Sequence, residues 1–324
     1  MKITASAERF PLAQPFTISR GTRTHQDVVV VEITHQGNRV QGECTPYPHY
    51  GESVESVINQ IEAVAGSMCS DKIAVNIATA RETLQASLPA GAARNAIDSA
   101  LWRLEHQEAF PSPQFDIKPS IITAMTVSLG DTASMAAQAR ELCLRGAKLL
   151  KVKLDDNAIV EKVSAIREVA AGVDIILDAN EAWGELNLAG LFKALSPLNI
   201  KMIEQPVPKG QDHKLQGILH PIPLCADESC HTSKDLDALV GQYEMVNIKL
   251  DKTGGLTEAL KLEAKARELG FDIMVGCMVG SSLAMETALP IASRAEIVDL
   301  DGPVLLKYDR DNGLKFDNGY LYTR

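Results

Sequence analysis

Residues 148–155, KLLKVKLD, set Lys151 and Lys153 inside an apolar run made by Leu149, Leu150, Val152 and Leu154. Side chains alternate across a strand, so the two lysines share one face. On an edge strand that face would be wet and the pair would carry no further meaning. On an inner strand the two ammonium groups would repel each other and lose hydration that an ordinary fold cannot easily replace.

The rest of the chain favours the inner strand. From about residue 119 short apolar runs alternate with helical patterns. The runs are IITAMTVSL (121–129), AKLLKVKL (147–154), VDIILDAN (173–180), IKMIEQP (200–206), IPLCADES (222–229), EMVNIKLD (244–251), FDIMVGCM (271–278) and EIVDLDGP (296–303). Between them lie stretches such as DTASMAAQARELCLRG (131–146) and LTEALKLEAKARELG (256–270), each running from a capping region to a closing glycine. Eight such alternations predict a (β/α)8 barrel, with a doubly wound open sheet as the competing topology.

Polar residues recur at one phase of this repeat. Lys153, Asp178, Glu204, Asp227 and Lys249 end successive runs at separations of 25, 26, 23 and 22 residues, and Asp301 closes the eighth. Groups at one phase of a barrel repeat gather at its carboxyl end, where barrel enzymes carry their chemistry. Asp178, Glu204 and Asp227 come from the third, fourth and fifth strands, and three converging carboxylates repel unless a cation sits among them. Hard oxygen donors point to Mg²⁺, with Mn²⁺ as a substitute. Lys153 and Lys249 belong to strands two and six of eight, so they face each other across the mouth. A base on either side of a bound carbonyl compound is the geometry for moving one α-proton. Lys151 is expected to bind substrate and, as a positive neighbour, to lower the pKa of Lys153.

Bulk properties narrow the partners. Lys and Arg number 32 against 42 Asp and Glu, a net charge of −10 over 324 residues, which opposes nucleic acid or an anionic membrane as partner. No apolar stretch approaches the ~20 residues of a membrane span. The start, MKITASAERFPLAQPF, lacks the apolar core of a secretory signal. The six cysteines form no framework, so the expectation is reduced thiols in the cytoplasm. A homo-oligomer is compatible with these numbers.

KVK (151–153), DAN (178–180), EQP (204–206), ADES (226–229) and NIK (247–249) together resemble the enolase superfamily in its muconate-lactonizing subgroup. Sites of that superfamily commonly pair a lysine or histidine base with Mg²⁺. GECTPYP (42–48), PAGAARNA (89–96), KLDKTGG (249–255) and DLDGP (299–303) further resemble its epimerases that act on the L-Ala-D/L-Glu dipeptide.

The resemblance implies an α+β capping domain over residues 1–115, the barrel over 116–305, and a segment 306–324 that looks like a terminal hairpin or strands returning to the cap. VVVVEITHQGNRVQGECTP (28–46) fits a hairpin around Gly37-Asn38. GAARNAIDSALWRLEHQ (91–107) fits an amphipathic helix with Ile97, Ala100, Leu101 and Leu104 inward. PSPQFDIKP (111–119) reads as the linker. The resemblance also implies that Asp299 and Asp301 hold a dipeptide ammonium. An arginine of the cap loop SRGTRTHQD (19–27), Arg23 in preference to Arg20, would meet the side-chain carboxylate. Thr126 and Cys277 or Met278 would line the pocket. His49 and Gly254-Gly255 read as a solvated loop residue and a barrel turn.

The implied reaction is epimerization of L-Ala-D-Glu to L-Ala-L-Glu through an enediolate, in recycling of cell-wall peptides. Alternatives are an o-succinylbenzoate synthase, a cycloisomerase, an N-acylamino acid racemase, or a barrel that only binds.

Overall fold

The computed structural model describes residues 1–68, 76–106 and 114–323. β1 (Lys2–Ile18) and β2 (Gly21–His35) form a long antiparallel hairpin, to which β3 (Asn38–Cys44) adds. The β2–β3 turn sits one residue earlier than the sequence suggested. His35 pairs with Asn38, leaving Gln36 and Gly37 as a two-residue loop, and both take positive φ, 50° and 84°. That is what a tight hairpin turn of matching twist requires. The segment 19–27 is likewise hairpin rather than loop, because Ile18 pairs with Gly21 and Arg23 with Phe16.

α1 (Val54–Met68), α2 (Ile77–Ser87) and α3 (Ala92–His106) complete the cap. Val29, Val31 and Ile33 of β2 pack against Val57 and Ile61 of α1 and Ile97, Ala100, Leu101 and Leu104 of α3. The expected inward stripe of α3 is therefore core. Its other face is not solvated, however, since Arg94, Asn95, Asp98 and Ser99 are also buried. They meet the barrel: Arg94 donates to the carbonyls of Thr253 and Gly254, and Asp98 accepts from the Thr257 amide. Gly254-Gly255 is shaped to this contact. At Gly255 a Cβ would stand 2.5 Å from the Cβ of Asp98, on a backbone of φ +106°. No side chain fits there.

The first run splits. β4 (Ser120–Ile122) leaves the barrel and β5 (Met125–Val127) opens it. Then follow α4 (Thr132–Leu144), β6 (Leu149–Lys153), α5 (Ile159–Val169), β7 (Asp174–Asp178), α6 (Leu188–Leu195), β8 (Met202–Glu204), β9 (Leu224–Ala226) and β10 (Met245–Ile248). A single turn, α7 (Leu250–Thr253), precedes α8 (Leu256–Glu268). β11 (Asp272–Gly276), α9 (Ser282–Ala292), β12 (Ile297–Asp299) and the short α10 (Gly302–Leu305) finish the barrel.

β5 to β12 make one parallel sheet in sequence order. It closes where the Ala124 amide donates to the Val298 carbonyl at 2.8 Å. The open-sheet alternative is thus excluded, and β6 is an inner strand between β5 and β7. After β8 and β9 the chain makes only one-turn 3-10 helices, at 212–215 and 236–238, in place of the expected α-helices. Pro206, Pro208 and Gly210 account for the first departure, since proline removes a helix donor and glycine weakens the turn.

The C-terminal segment takes the hairpin form, one of its two expected readings, but it does not join the cap sheet. β13 (Lys315–Asp317) and β14 (Tyr320–Tyr322) form a hairpin that pairs with β4, on the barrel side. Only its beginning touches the cap, through a bridge between Leu12 and Leu306 and ion pairs from Arg310 to Glu8 and Glu43. The pairing partner is set by Ile121 and Leu321, which lie opposite each other and are both buried.

Asp251 of α7 is buried in the seam and accepts from the Thr45 amide and from Asn95, both 2.9 Å away. Burial pushes its carboxyl up to about 7. An unfolded chain ionises this group near pH 4, so its contribution to stability is greatest below that pH and is lost as pH rises to about 7. Asp251→Asn should therefore gain on the parent progressively from about pH 4 to 7 in urea denaturation, with a pH-independent difference above that window.

Candidate active site

Inside the barrel, one residue from each strand or its approach makes an apolar layer: Ala124, Leu149, Ile176, Met202, Cys225, Met245, Met274 and Ile297. Two positions further along stand Thr126, Lys151, Asp178, Glu204, Asp227, Asn247, Gly276 and Asp299. Alternation brings this second set to the same interior face, one step nearer the carboxyl end. Register sets Asp178 beside Glu204, and a two-residue stagger between β6 and β7 sets Lys153 rather than Lys151 beside Asp178.

The charges interlock. Lys151 is 1% exposed, and its Nζ lies 2.7 Å from Asp299 Oδ2, 2.7 Å from Glu204 Oε2 and 3.1 Å from Asp178 Oδ2. Lys153 donates to Asp178 Oδ2 at 2.5 Å. Lys249 donates to Asp227 Oδ2 at 2.5 Å and stands 3.7 Å from Glu204. Lys252, unassigned from sequence although KLDKTGG contains it, donates to Asp227 Oδ1 at 2.6 Å. Asn247 of the NIK motif donates to Glu204 Oε1 at 2.8 Å.

Burial opposes the charge on Lys151, but Asp299, Glu204 and Asp178 hold it well above its ordinary value. Lys249 is raised likewise, Asp227 outweighing its burial. Burial and then Asp178 push Glu204 up. In Asp178 and Asp227 the lysines overcome burial and hold the carboxyls down. Lys151 is thus a charged neighbour of Lys153 whose charge is answered by three carboxylates.

A cavity opens above this layer. Its barrel wall includes Thr126, Lys151, Lys153, Asp227, Lys249, Cys277, Met278, Asp299 and Asp301, while the cap contributes Arg20, Arg23, Gln26, Tyr47 and Tyr50. All the barrel residues singled out from sequence thus line it or, as with Asp178 and Glu204, lie fully buried directly behind the lysines. Asp301 Oδ2 accepts from the Thr126 amide at 2.9 Å, and burial, then the Asp299 charge, pushes its carboxyl to about 7.

Both arginines reach the cavity. Arg20 is tied to the Asn180 carbonyl, Glu181, Tyr47 and Glu228. Arg23 bonds Gln26 at 3.3 Å and lies 5.4 Å over the Tyr47 ring. His49 is exposed, as expected, and its Nε2 also lies 2.8 Å from Glu181. Tyr47 and Glu228 went unassigned from sequence although GECTPYP and ADES contain them, and Tyr50 lies just past the first motif; the folded cap brings Tyr47 and Tyr50 to the mouth.

The donor set suits a hard divalent cation: three buried carboxylates on consecutive strands, with no His or Cys among them. Glu204 Oε2, though close to Lys151, takes no aligned hydrogen bond. Among the described residues no three such groups are posed close enough to share an ion, because the lysine ammoniums take up their oxygens. Binding a cation there would displace these contacts.

Comparison with known proteins agrees with this geometry. Residues 1–109 match the mandelate racemase/muconate lactonizing enzyme N-terminal domain, and 134–324 the enolase C-terminal domain-like family. An L-Ala-D/L-Glu epimerase of Escherichia coli K12 is 47% identical, with 97% of each chain covered. An N-acetyl-D-glutamate racemase of Pseudoalteromonas is 43% identical over 91% of this chain and 92% of that one. Among solved structures, a dipeptide epimerase from Enterococcus faecalis V583 complexed with Mg and L-Leu-L-Tyr superposes with a TM-score of 0.92 at 28% identity, covering 100% and 96% of the two chains. The chain belongs to the enolase superfamily, in its mandelate racemase/muconate lactonizing branch, and is an isomerase like these relatives.

The layer has one gap, at Gly276. A Cβ there would stand 2.8 Å from the Asn247 amide and 3.0 Å from Lys249 Cε. Gly276→Ala should therefore push Lys249 off its position, losing about 1–3 kcal/mol of stability by overpacking, together with a fall in kcat larger than any change in KM. Urea denaturation and steady-state kinetics would measure the two effects.

Proposed function

We propose that this enzyme epimerizes dipeptides at the α-carbon of their C-terminal residue, with L-Ala-D-Glu and L-Ala-L-Glu as the pair it interconverts. The observation that carries this reading is one cavity with lysines on opposed strands at one level and an acidic pair, Asp299 and Asp301, at its side. A free α-ammonium suits two carboxylates. Arg23, with most of its donors uncommitted, suits an acidic side chain at the other end. The E. coli relative acts on this dipeptide by name, which supports the choice.

Lys153 and Lys249 are the bases in this reading, one removing the α-proton and the other returning one to the opposite face. Asp178, Glu204 and Asp227 would hold Mg²⁺, with Mn²⁺ as a substitute. Such an ion would supply Lewis-acid stabilisation of negative charge on the substrate carboxylate. Lys151 holds Glu204 and Asp299 in place and offers positive charge to the same carboxylate. A role in recycling cell-wall peptides in the cytoplasm follows from the substrate.

A second reading has a specific observation behind it. Asp299 already pairs with Lys151, and Asp301 is pushed towards its neutral form, so the acidic pair is less negative than its composition suggests. That suits an N-acyl amino acid, as in the Pseudoalteromonas relative.

Two outcomes test these assignments. A dipeptide with a free amino terminus should be turned over faster than its N-acetyl form by about tenfold or more, and Asp301→Asn should erase that preference. Equal rates would favour the acylamino acid reading. By proton NMR in deuterium oxide, Lys153→Ala and Lys249→Ala should both block epimerization. Each should still exchange the α-proton of one epimer only, and the two variants should prefer opposite epimers. A variant that epimerizes at parent rates would remove its lysine from the mechanism.

A further inference from the structure

Arg20 occupies the tip of the β1–β2 hairpin, between Ile18 and Gly21. The tip is set apart from the rest of the cap by a break in pairing. Pro11 pairs with His25 and the next register pair is Phe16 with Arg23, so residues 12–15 bulge opposite the single residue Thr24. A bulge of this size interrupts the ladder and lets the outer part bend independently. Beyond it, the hairpin has little backbone support from the barrel; the Leu129 amide donates to the Thr17 carbonyl at 3.0 Å.

Side chains supply the rest: Phe16 packs in a cluster with Leu306, Val279 and Leu283, and Arg20 makes several polar contacts. One guanidinium nitrogen donates to the Asn180 carbonyl at 3.2 Å and Glu181 at 3.1 Å. The other donates to Tyr47 at 3.1 Å and Glu228 at 2.7 Å. Asn180 and Glu181 follow the third barrel strand, and Glu228 follows the fifth, so one side chain spans the ends of two strands and a cap loop. The Glu228 side chain is 2% exposed and its other oxygen has no partner. Without Arg20 that buried carboxylate would stand unpaired, a strongly unfavourable state. The planar fork of arginine suits such bridging, which a lysine reproduces only in part.

We infer that Arg20 is a positioning residue: it latches the hairpin tip to the barrel and so fixes Arg23, three residues further on, over the cavity. Arg23 then reads the substrate side chain while Arg20 touches none of it. The consequence for specificity rests on the dipeptide reading above; the latch itself does not.

Hydrogen exchange of the Thr17–Arg23 amides, followed by mass spectrometry, tests the latch without any substrate. Arg20→Gln should speed that exchange by about tenfold or more, Arg20→Lys by less, and Arg23→Gln should leave it as in the parent. Kinetics on L-Ala-L-Glu and L-Ala-L-Gln then separates the two arginines. Arg20→Gln should lower kcat/KM for both by a similar factor, whereas Arg23→Gln should lower it for L-Ala-L-Glu alone. Unchanged exchange in Arg20→Gln overturns the proposal. So does a loss confined to the acidic dipeptide, which would make Arg20 the residue that reads it. If the parent turned over neither dipeptide, the substrate reading would fall and the exchange result would still decide the latch. Should Arg20→Gln fail to fold, Arg20→Lys carries the same exchange test.

Discussion

The ammonium of Lys151 is the charge around which the barrel mouth is arranged. A cation that is 1% exposed is tolerated only where opposite charges and hydrogen bonds replace its hydration. Here the replacement comes from Asp178, Glu204 and Asp299, on strands three, four and eight, with Lys151 itself on strand two. Those contacts exist only if the sheet closes, because β12 must come round to β5 for Asp299 to meet Lys151. An open sheet built from these strands would leave Lys151 short of one partner and Asp299 without a cation. Closure of the barrel and compensation of its buried charge are thus one constraint.

That constraint was partly visible in the sequence because it is periodic. Polar residues at a fixed phase of a strand–helix repeat fall on one level of a barrel, so Lys153, Asp178, Glu204, Asp227 and Lys249 announced themselves by spacing. Periodicity says which residues share a level, but not which neighbour each will pair with. It therefore gave Lys151 as the cationic neighbour of Lys153 without its three carboxylate partners, and passed over Lys252 and Asn247. It also assumed a helix after every strand, which the prolines after β8 do not permit. Contacts between distant segments had no local signal at all. Tyr47, His49 and Glu228 look like loop residues until the cap is laid on the barrel. The polar face of α3 reads as solvated because nothing in its own spacing says that a second domain covers it.

Cap and barrel divide the recognition problem accordingly. The barrel presents groups whose places are fixed by strand register, suited to handling the reacting end of a substrate within narrow tolerances. The cap presents Arg23 from the hairpin tip beyond the bulge, Gln26 from β2 before it, and Tyr47 from the loop after β3, all outside the strand register of the barrel. Relatives that act on other dipeptides or on acylated amino acids are compatible with this division, since one set of barrel groups can serve several chemistries at the far end.

The two parts are nonetheless not free to move apart, and α7 is the reason. Its cap residue Lys249 faces the cavity, and Lys252 ties down Asp227. Between them Asp251 accepts bonds from Thr45 and Asn95 of the cap, and the carbonyls of Thr253 and Gly254 receive Arg94. Successive residues of one helical turn thus point alternately into the reaction cavity and into the domain seam. A shift of the cap against the barrel would pull on the turn that positions Lys249 and Asp227. The glycines that follow it, by letting α3 approach closely, keep that turn short and rigid. The hairpin tip, beyond its bulge, is tied to the barrel separately from α7, through Arg20 and the Thr17 carbonyl.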